Sequence, residues 1–242
     1  ASIITLAGDN QQFRYGKISD KNLIDGTANG YGRAIAIIGN NVSVKKVNVD
    51  NFVQGVESAW STDGFVVGSS NWSGQEVVGA TVEGCLINAR PADIKQTSKG
   101  SGIRLYSSEN KIKNNIVKAD ESYGSDLFLL HGIKIEGLAD RHPDGSNLND
   151  TQHIISGNFV DGPFRHSFYV EGVTNVSMPS NFAIKTGREG LVIAASGVDV
   201  SGGHYDCGGY KDTNDAYSIR VESGCANSIS DLTIAAWRNV SS

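Results

Sequence analysis

Proline, cysteine and methionine are scarce here: 242 residues hold four prolines, three cysteines and one methionine. With so little proline, frequent turning falls to the 29 glycines, which take positive φ at no steric cost. Cys85, Cys207 and Cys225 are an odd set whose spacings fit neither a disulfide framework nor a zinc site, which leaves thiols behaving as small hydrophobes. No apolar run is long enough to span a bilayer. No segment of helical length carries apolar residues at i, i+3, i+4 and i+7. Lys and Arg are scattered under a net charge of −5, which excludes the basic stripe that a nucleic-acid backbone demands. A Gly-rich phosphate loop and a Gly-x-Ser-x-Gly elbow are also absent.

What is present is a repeat. A Gly, Ser or Ala followed by apolar and polar residues in alternation recurs as Ala34-Ile35-Ala36-Ile37, Gly55-Val56-Glu57-Ser58, Gly102-Ile103-Arg104-Leu105 and Gly132-Ile133-Lys134-Ile135. It continues as Ser167-Phe168-Tyr169-Val170, Gly190-Leu191-Val192-Ile193 and Ser218-Ile219-Arg220-Val221. The copies lie 21, 47, 30, 35, 23 and 28 residues apart, and most are followed by a turn and a second apolar-rich run such as Val42-Ser43-Val44 or Val198-Asp199-Val200. A strand-built unit recurring at this spacing predicts a solenoid. No shift in composition suggests a linker, so residues 1–242 are read as one domain. The opening Ala1-Ser2-Ile3-Ile4 and the closing Asn239-Val240-Ser241-Ser242 are those expected of a piece of a longer chain or a processed one.

Side chains alternate on a strand, so two inward columns are predicted: Ile35, Val56, Ile103, Ile133, Phe168, Leu191 and Ile219, then Ile37, Ser58, Leu105, Ile135, Val170, Ile193 and Val221. Asn41, Asn110 and Asn175 fall in the following turn, where Asn tolerates left-handed backbone and can stack in a ladder. This pattern, from 33 to 238, resembles the right-handed, single-stranded parallel β-helix of pectate-lyase-like proteins, a superfamily of polysaccharide lyases, polygalacturonases and phage tailspikes. The resemblance implies an all-β fold and a substrate groove beside one sheet. The Asp-Asp and Gly-His-Gly motifs of a polygalacturonase are missing. The polar, Gly/Asn-rich repeats look most like the body of a tailspike or capsule depolymerase. That likeness implies a polysaccharide partner, an extracellular or virion setting and a homotrimer.

The outward positions concentrate groups suited to proton transfer and sugar binding. One column reads Arg104, Lys134, Tyr169, Val192 and Arg220, the next Tyr106, Glu136, Glu171, Ala194 and Glu222, and just before the strand stand His131, His166 and Glu189. Long insertions at 61–75, 138–151, 88–100, 120–130 and 208–216 are expected to wall a groove, with Trp60 and Trp72 stacking on sugar faces.

Two chemistries compete. Glu136 and Glu171 on consecutive rungs, about 5 Å apart, would raise one pKa and leave one acid and one base or nucleophile, as glycosidases require. Glu171 and Glu222 are two rungs apart, flanking a hollow at Val192 and Ala194, and Glu189 can join either pair. Alternatively, His131 and His166 with Tyr169 and Lys134 abstract the C5 proton of a uronate while Arg165 or Arg188 neutralises its carboxylate. Hydrolysis is the first expectation and β-elimination the second; a non-catalytic glycan-binding or adhesin β-helix is the third. No resident cofactor is expected, although Asp144-Gly145-Ser146-Asn147-Leu148-Asn149-Asp150 has the oxygen-rich look of a calcium loop.

Overall fold

The computed structural model describes residues 2–19, 33–52, 62–67, 78–89, 100–106, 108–119, 130–137, 151–207, 217–222 and 225–236. They form 22 strands and no helix, so none of the described residues lies in a helix long and apolar enough to cross a membrane.

The strands come in sets. β1 (Ser2–Leu6), β2 (Gln12–Arg14) and β3 (Lys17–Ser19) make the first, and β4 (Arg33–Ile37), β5 (Ser43–Lys45) and β6 (Asn48–Phe52) the second. β7 (Thr62–Val67), β8 (Thr81–Glu83) and β9 (Leu86–Ala89) are followed by β10 (Gly100–Leu105), β11 (Lys111–Lys113) and β12 (Ile116–Ala119). Next come β13 (Leu130–Glu136), β14 (Thr151–Ser156) and β15 (Phe159–Asp161). In two sets the later strands fuse, so β16 (His166–Glu171) leads into β17 (Thr174–Ile184) and β18 (Glu189–Ala194) into β19 (Val198–Cys207). β20 (Ile219–Val221), β21 (Ser228–Ser230) and β22 (Thr233–Ala236) complete the series.

Pairing joins equivalent strands of successive sets. The leading strands form an eight-stranded sheet in the order β1-β4-β7-β10-β13-β16-β18-β20. The others form a fourteen-stranded sheet in which β17 joins the row β2-β5-β8-β11-β14 to the row β15-β12-β9-β6-β3. Pairings within both sheets are parallel. The architecture is all-β, mostly parallel and compatible with a parallel β-helix.

The register aligns Ile4, Ile35, Phe65, Ile103, Ile133, Phe168, Leu191 and Ile219 across the eight leading strands. Ile35, Ile103, Ile133, Phe168 and Leu191 are buried in one core, with Ile4 and Ile219 packed against it. Two expectations are corrected here. The second copy of the repeat is Gly64-Phe65-Val66-Val67 on β7, inside the stretch expected to be a loop, and not Gly55-Val56-Glu57-Ser58, which lies outside the described residues. The replacement puts Val67 where Ser58 had been the one polar member of the second inward column. β1 is a further copy that the alternation had not revealed.

The small residue that opens each copy has a steric cause. A Cβ on Gly132 would sit 2.5 Å from Val160 Cγ1 and 2.6 Å from the Ser167 carbonyl oxygen, and one on Gly102 would sit 2.5 Å from Val117 Cγ1. This position faces the interior at a corner where the neighbouring row closes in.

The turns carry a second regularity. At the turn between the two later stretches of each set stands a left-handed residue: Tyr15, Lys46, Gly84, Asn114, Gly157, Ser180, Gly202 (with Gly203 also at positive φ) or Asp231. Immediately after it, three consecutive sets place Asn115, Asn158 and Asn181 fully buried. The Asn158 side-chain oxygen accepts from the Asn115 amide at 3.0 Å, and the Asn181 oxygen accepts from the Asn158 amide at 3.1 Å. Their side-chain nitrogens donate to the carbonyls of Val82, Ile112 and Ile155. Thus an Asn ladder exists, but at a different turn from the expected one. Asn41 and Asn175 are left-handed as anticipated, whereas at Asn110 the left-handed residue is Glu109. Asn110 is itself buried and lies 3.3 Å from His153 Nδ1.

Candidate functional site

On the eight-stranded sheet the outward register aligns Ser101, His131, His166 and Glu189 in one row. Arg104, Lys134, Tyr169, Val192 and Arg220 align in the next, and Glu136, Glu171 and Ala194 in a third. These rows bring the expected residues onto one face of β10, β13, β16, β18 and β20.

The centre of the band is aromatic. The rings of His131 and His166 lie 5.0 Å apart, and Tyr169 lies 5.2 Å from the first and 5.1 Å from the second, stacked on it. Burial holds the pKa of His131 well below its ordinary value, and the neighbouring His166, Lys134, Arg165 and Arg104 push the same way. His166 is also lowered by burial, which Glu189 opposes and Arg165 and Arg220 reinforce. Both imidazoles are therefore neutral at neutral pH. His131 Nδ1 has no hydrogen-bond partner among the described residues. Burial raises the Tyr169 phenol, with Glu171 and Glu222 adding to the effect.

Glu189 is the hub of one charged cluster. Its carboxylate is wholly buried and lies 2.9 Å from His166 Nε2, 3.4 Å from Arg188 Nε and 3.1 Å from an Arg220 terminal nitrogen. The His166 approach is close but off the line of a hydrogen bond, whereas Arg220 donates in line. Arg220 reaches Glu222 at 3.4 Å with its other nitrogen. The backbone carbonyl of Arg165 accepts from the Glu189 amide at 3.2 Å.

Glu136 is the hub of the other. Arg104 donates to Glu136 Oε2 through two nitrogens, at 3.2 and 2.7 Å, and Lys134 Nζ lies 3.2 Å from the same oxygen and 3.5 Å from Glu171. Burial alone would raise the Glu136 carboxyl, but Arg104 and Lys134 outweigh it and hold the group below its ordinary range. The expected upward displacement by Glu171 is thus not found at Glu136, because Arg104, and after it the lysine that bridges the two carboxylates, outweigh it. Tyr106 is buried with the Arg104 guanidinium 4.7 Å over its ring, which takes that ring face from a sugar.

Of the pair expected to line a hollow, Val192 is fully buried between Tyr169 and Arg220 in the register, whereas Ala194 is half-buried. Trp60, Trp72, most of the presumed groove walls and the calcium-loop candidate 144–150 lie outside the described residues. The role of Glu189 as a buried anchor was missed in the sequence, where Arg188 beside it and two histidines in its row were the available signal.

Compared with protein-family models, with curated proteins and with solved structures, the chain matches none.

Proposed function

We propose that the chain is a right-handed, single-stranded parallel β-helix of the pectate-lyase-like kind, whose outward band binds an acidic polysaccharide and cleaves it by β-elimination. The observation that carries this reading is the His131–His166–Tyr169 cluster, proton-exchanging groups set among Arg104, Lys134, Arg165, Arg188 and Arg220.

In β-elimination a base removes the C5 proton of a uronate, the freed electron pair forms the C4–C5 double bond, and the C4–oxygen bond breaks. The glycosidic oxygen then leaves with a proton. A cation on the uronate carboxylate makes the C5 proton more acidic, and Arg220, anchored by Glu189 with a third of its side chain exposed, suits that task. His131, kept neutral, retains a lone pair to act as base, and Tyr169, kept protonated, has a proton for the leaving oxygen. Glu136 is tied into two ion pairs, which disfavours it as the general acid of a hydrolase.

One observation favours hydrolysis as a second reading. Glu171 and Glu222 expose 45% and 48% of their side chains. Carrying the register one residue past Val221 puts Glu222 beside Ala194, two strands from Glu171. The backbone separation, about 9.6 Å, approaches that of inverting carboxyl pairs. In either reading the setting is that of a tailspike body, extracellular or on a virion, assembled as a homotrimer. Incubation with polyuronates and neutral polysaccharides, followed by mass analysis, tests the proposal. Products carrying an unsaturated uronate support elimination, products one water heavier support hydrolysis, and uncleaved glycan throughout overturns both.

A further inference from the structure

Away from this band, the first four strand sets form a basic depression of about 430 Å³, lined from Arg14 and Tyr15 across Gly84 to Asn114. Its floor is open because Gly84 has no side chain: a Cβ there would lie 3.6 Å from Lys46 Cγ, on a backbone of φ +64°. The flanking row runs Arg14, Lys45, Glu83 and Lys113 in register. Lys45 is tied to Glu83 at 2.6 Å, whereas Arg14 and Lys46 make no such close ion pair with a carboxylate of the described residues, Lys46 acting on Glu83 only from a distance.

Backbone strain marks the same place. The left-handed position of the turn is Gly or Asn in four of eight sets, yet here Tyr15 and Lys46 hold it at φ 58° and 53°. Large side chains are disfavoured in this region, and such outliers concentrate where a site needs the side chain. Tyr15 gains no burial in return, being 73% exposed. Its ring lies 5.5 Å from Lys46 Nζ, so an aromatic face and a cation converge over the open floor.

We infer that this depression is a second saccharide subsite, which takes an acidic sugar with its ring against Tyr15 and its carboxylate between Lys46 and Arg14. Glu83, held charged chiefly by its hydrogen bond from Lys45, accepts from a sugar hydroxyl. The choice of a sugar rests on the proposed function, but the depression shares no residue with the band, so each can fail alone.

The test uses methyl galacturonide, which has no 4-linked leaving group and so cannot be cleaved, titrated by NMR in parallel with methyl galactoside and inorganic phosphate. Tyr15→Gly and Lys46→Gly remove the ligand-facing groups and suit the left-handed backbone. Each is expected to weaken methyl galacturonide by about tenfold or more with the melting temperature unchanged or raised. Arg220→Gln is expected to leave this affinity intact. Unchanged affinity in both glycine variants, or equal binding of methyl galactoside or of phosphate, would overturn the inference.

Discussion

His166 Nε2 and Glu189 Oε2 approach to 2.9 Å across neighbouring strands, with the histidine side chain 3% exposed and the carboxylate 0%. A buried carboxylate is sustained only by its partners, and here His166, Arg188 and Arg220 surround it. Glu189→Gln would leave Arg188 without its counter-charge among the described residues and Arg220 with only the half-exposed Glu222. The variant is expected to lose about 3 to 5 kcal/mol of stability, measured by urea unfolding. A change below about 1 kcal/mol would show that the arginines find water instead.

Acid should weaken the fold through its histidines. His153 is buried on β14, and burial lowers its pKa to about 4, against about 6.5 when unfolded. Between those values the unfolded chain binds a proton that the folded chain does not. The contribution is therefore fully present above about pH 6.5 and is lost as pH falls toward 4. It amounts to about 3 kcal/mol, and the lowered His131 and His166 add with the same sign. Unfolding free energies measured across that window should fall with pH, and His153→Gln should flatten the slope by close to one proton.

The Asn ladder should be costly to interrupt. Asn158 accepts from the Asn115 amide and donates to the Ile112 carbonyl, so Asn158→Leu leaves both buried groups unpaired. Each unmade bond costs about 1 to 3 kcal/mol. Thermal unfolding should show a clear loss, whereas the equivalent Cys85, already apolar in character and buried, should accept Val with little change.

Gly132→Ala tests the corner. The added methyl would meet Val160 Cγ1 at 2.5 Å and the Ser167 carbonyl at 2.6 Å, and backbone cannot yield as a flexible side chain can. An overpacking loss of about 1 to 3 kcal/mol is expected. An unfolding midpoint equal to wild type would place this residue off the interior.

Much of the fold could be read in the sequence because alternation at Ile103, Ile133, Phe168, Leu191 and Ile219 reports directly which side is dry. The same alignment correctly paired His131 with His166 and Glu136 with Glu171. It failed at Val56, where Gly-Val-Glu-Ser imitates the repeat, since a four-residue pattern cannot tell a strand from a look-alike nine residues upstream. The ladder at Asn158 was hidden because its register is set by a single left-handed residue that is Gly in some sets and Tyr, Lys or Ser in others. Charge pairing was the least legible feature. Lys134 stands between two glutamates only after folding, and the adjacent Arg188 is the one local sign that separates buried Glu189 from exposed Glu222.

Cleavage by Tyr169→Phe tests the central claim most directly. Taking the phenolic hydroxyl away removes the proton for the leaving oxygen but keeps the ring that packs on His166. The rate of unsaturated-uronate formation from a polyuronate is expected to fall by about 10² to 10⁴, with substrate binding and the unfolding midpoint unchanged. A wild-type rate in Tyr169→Phe would contradict the account.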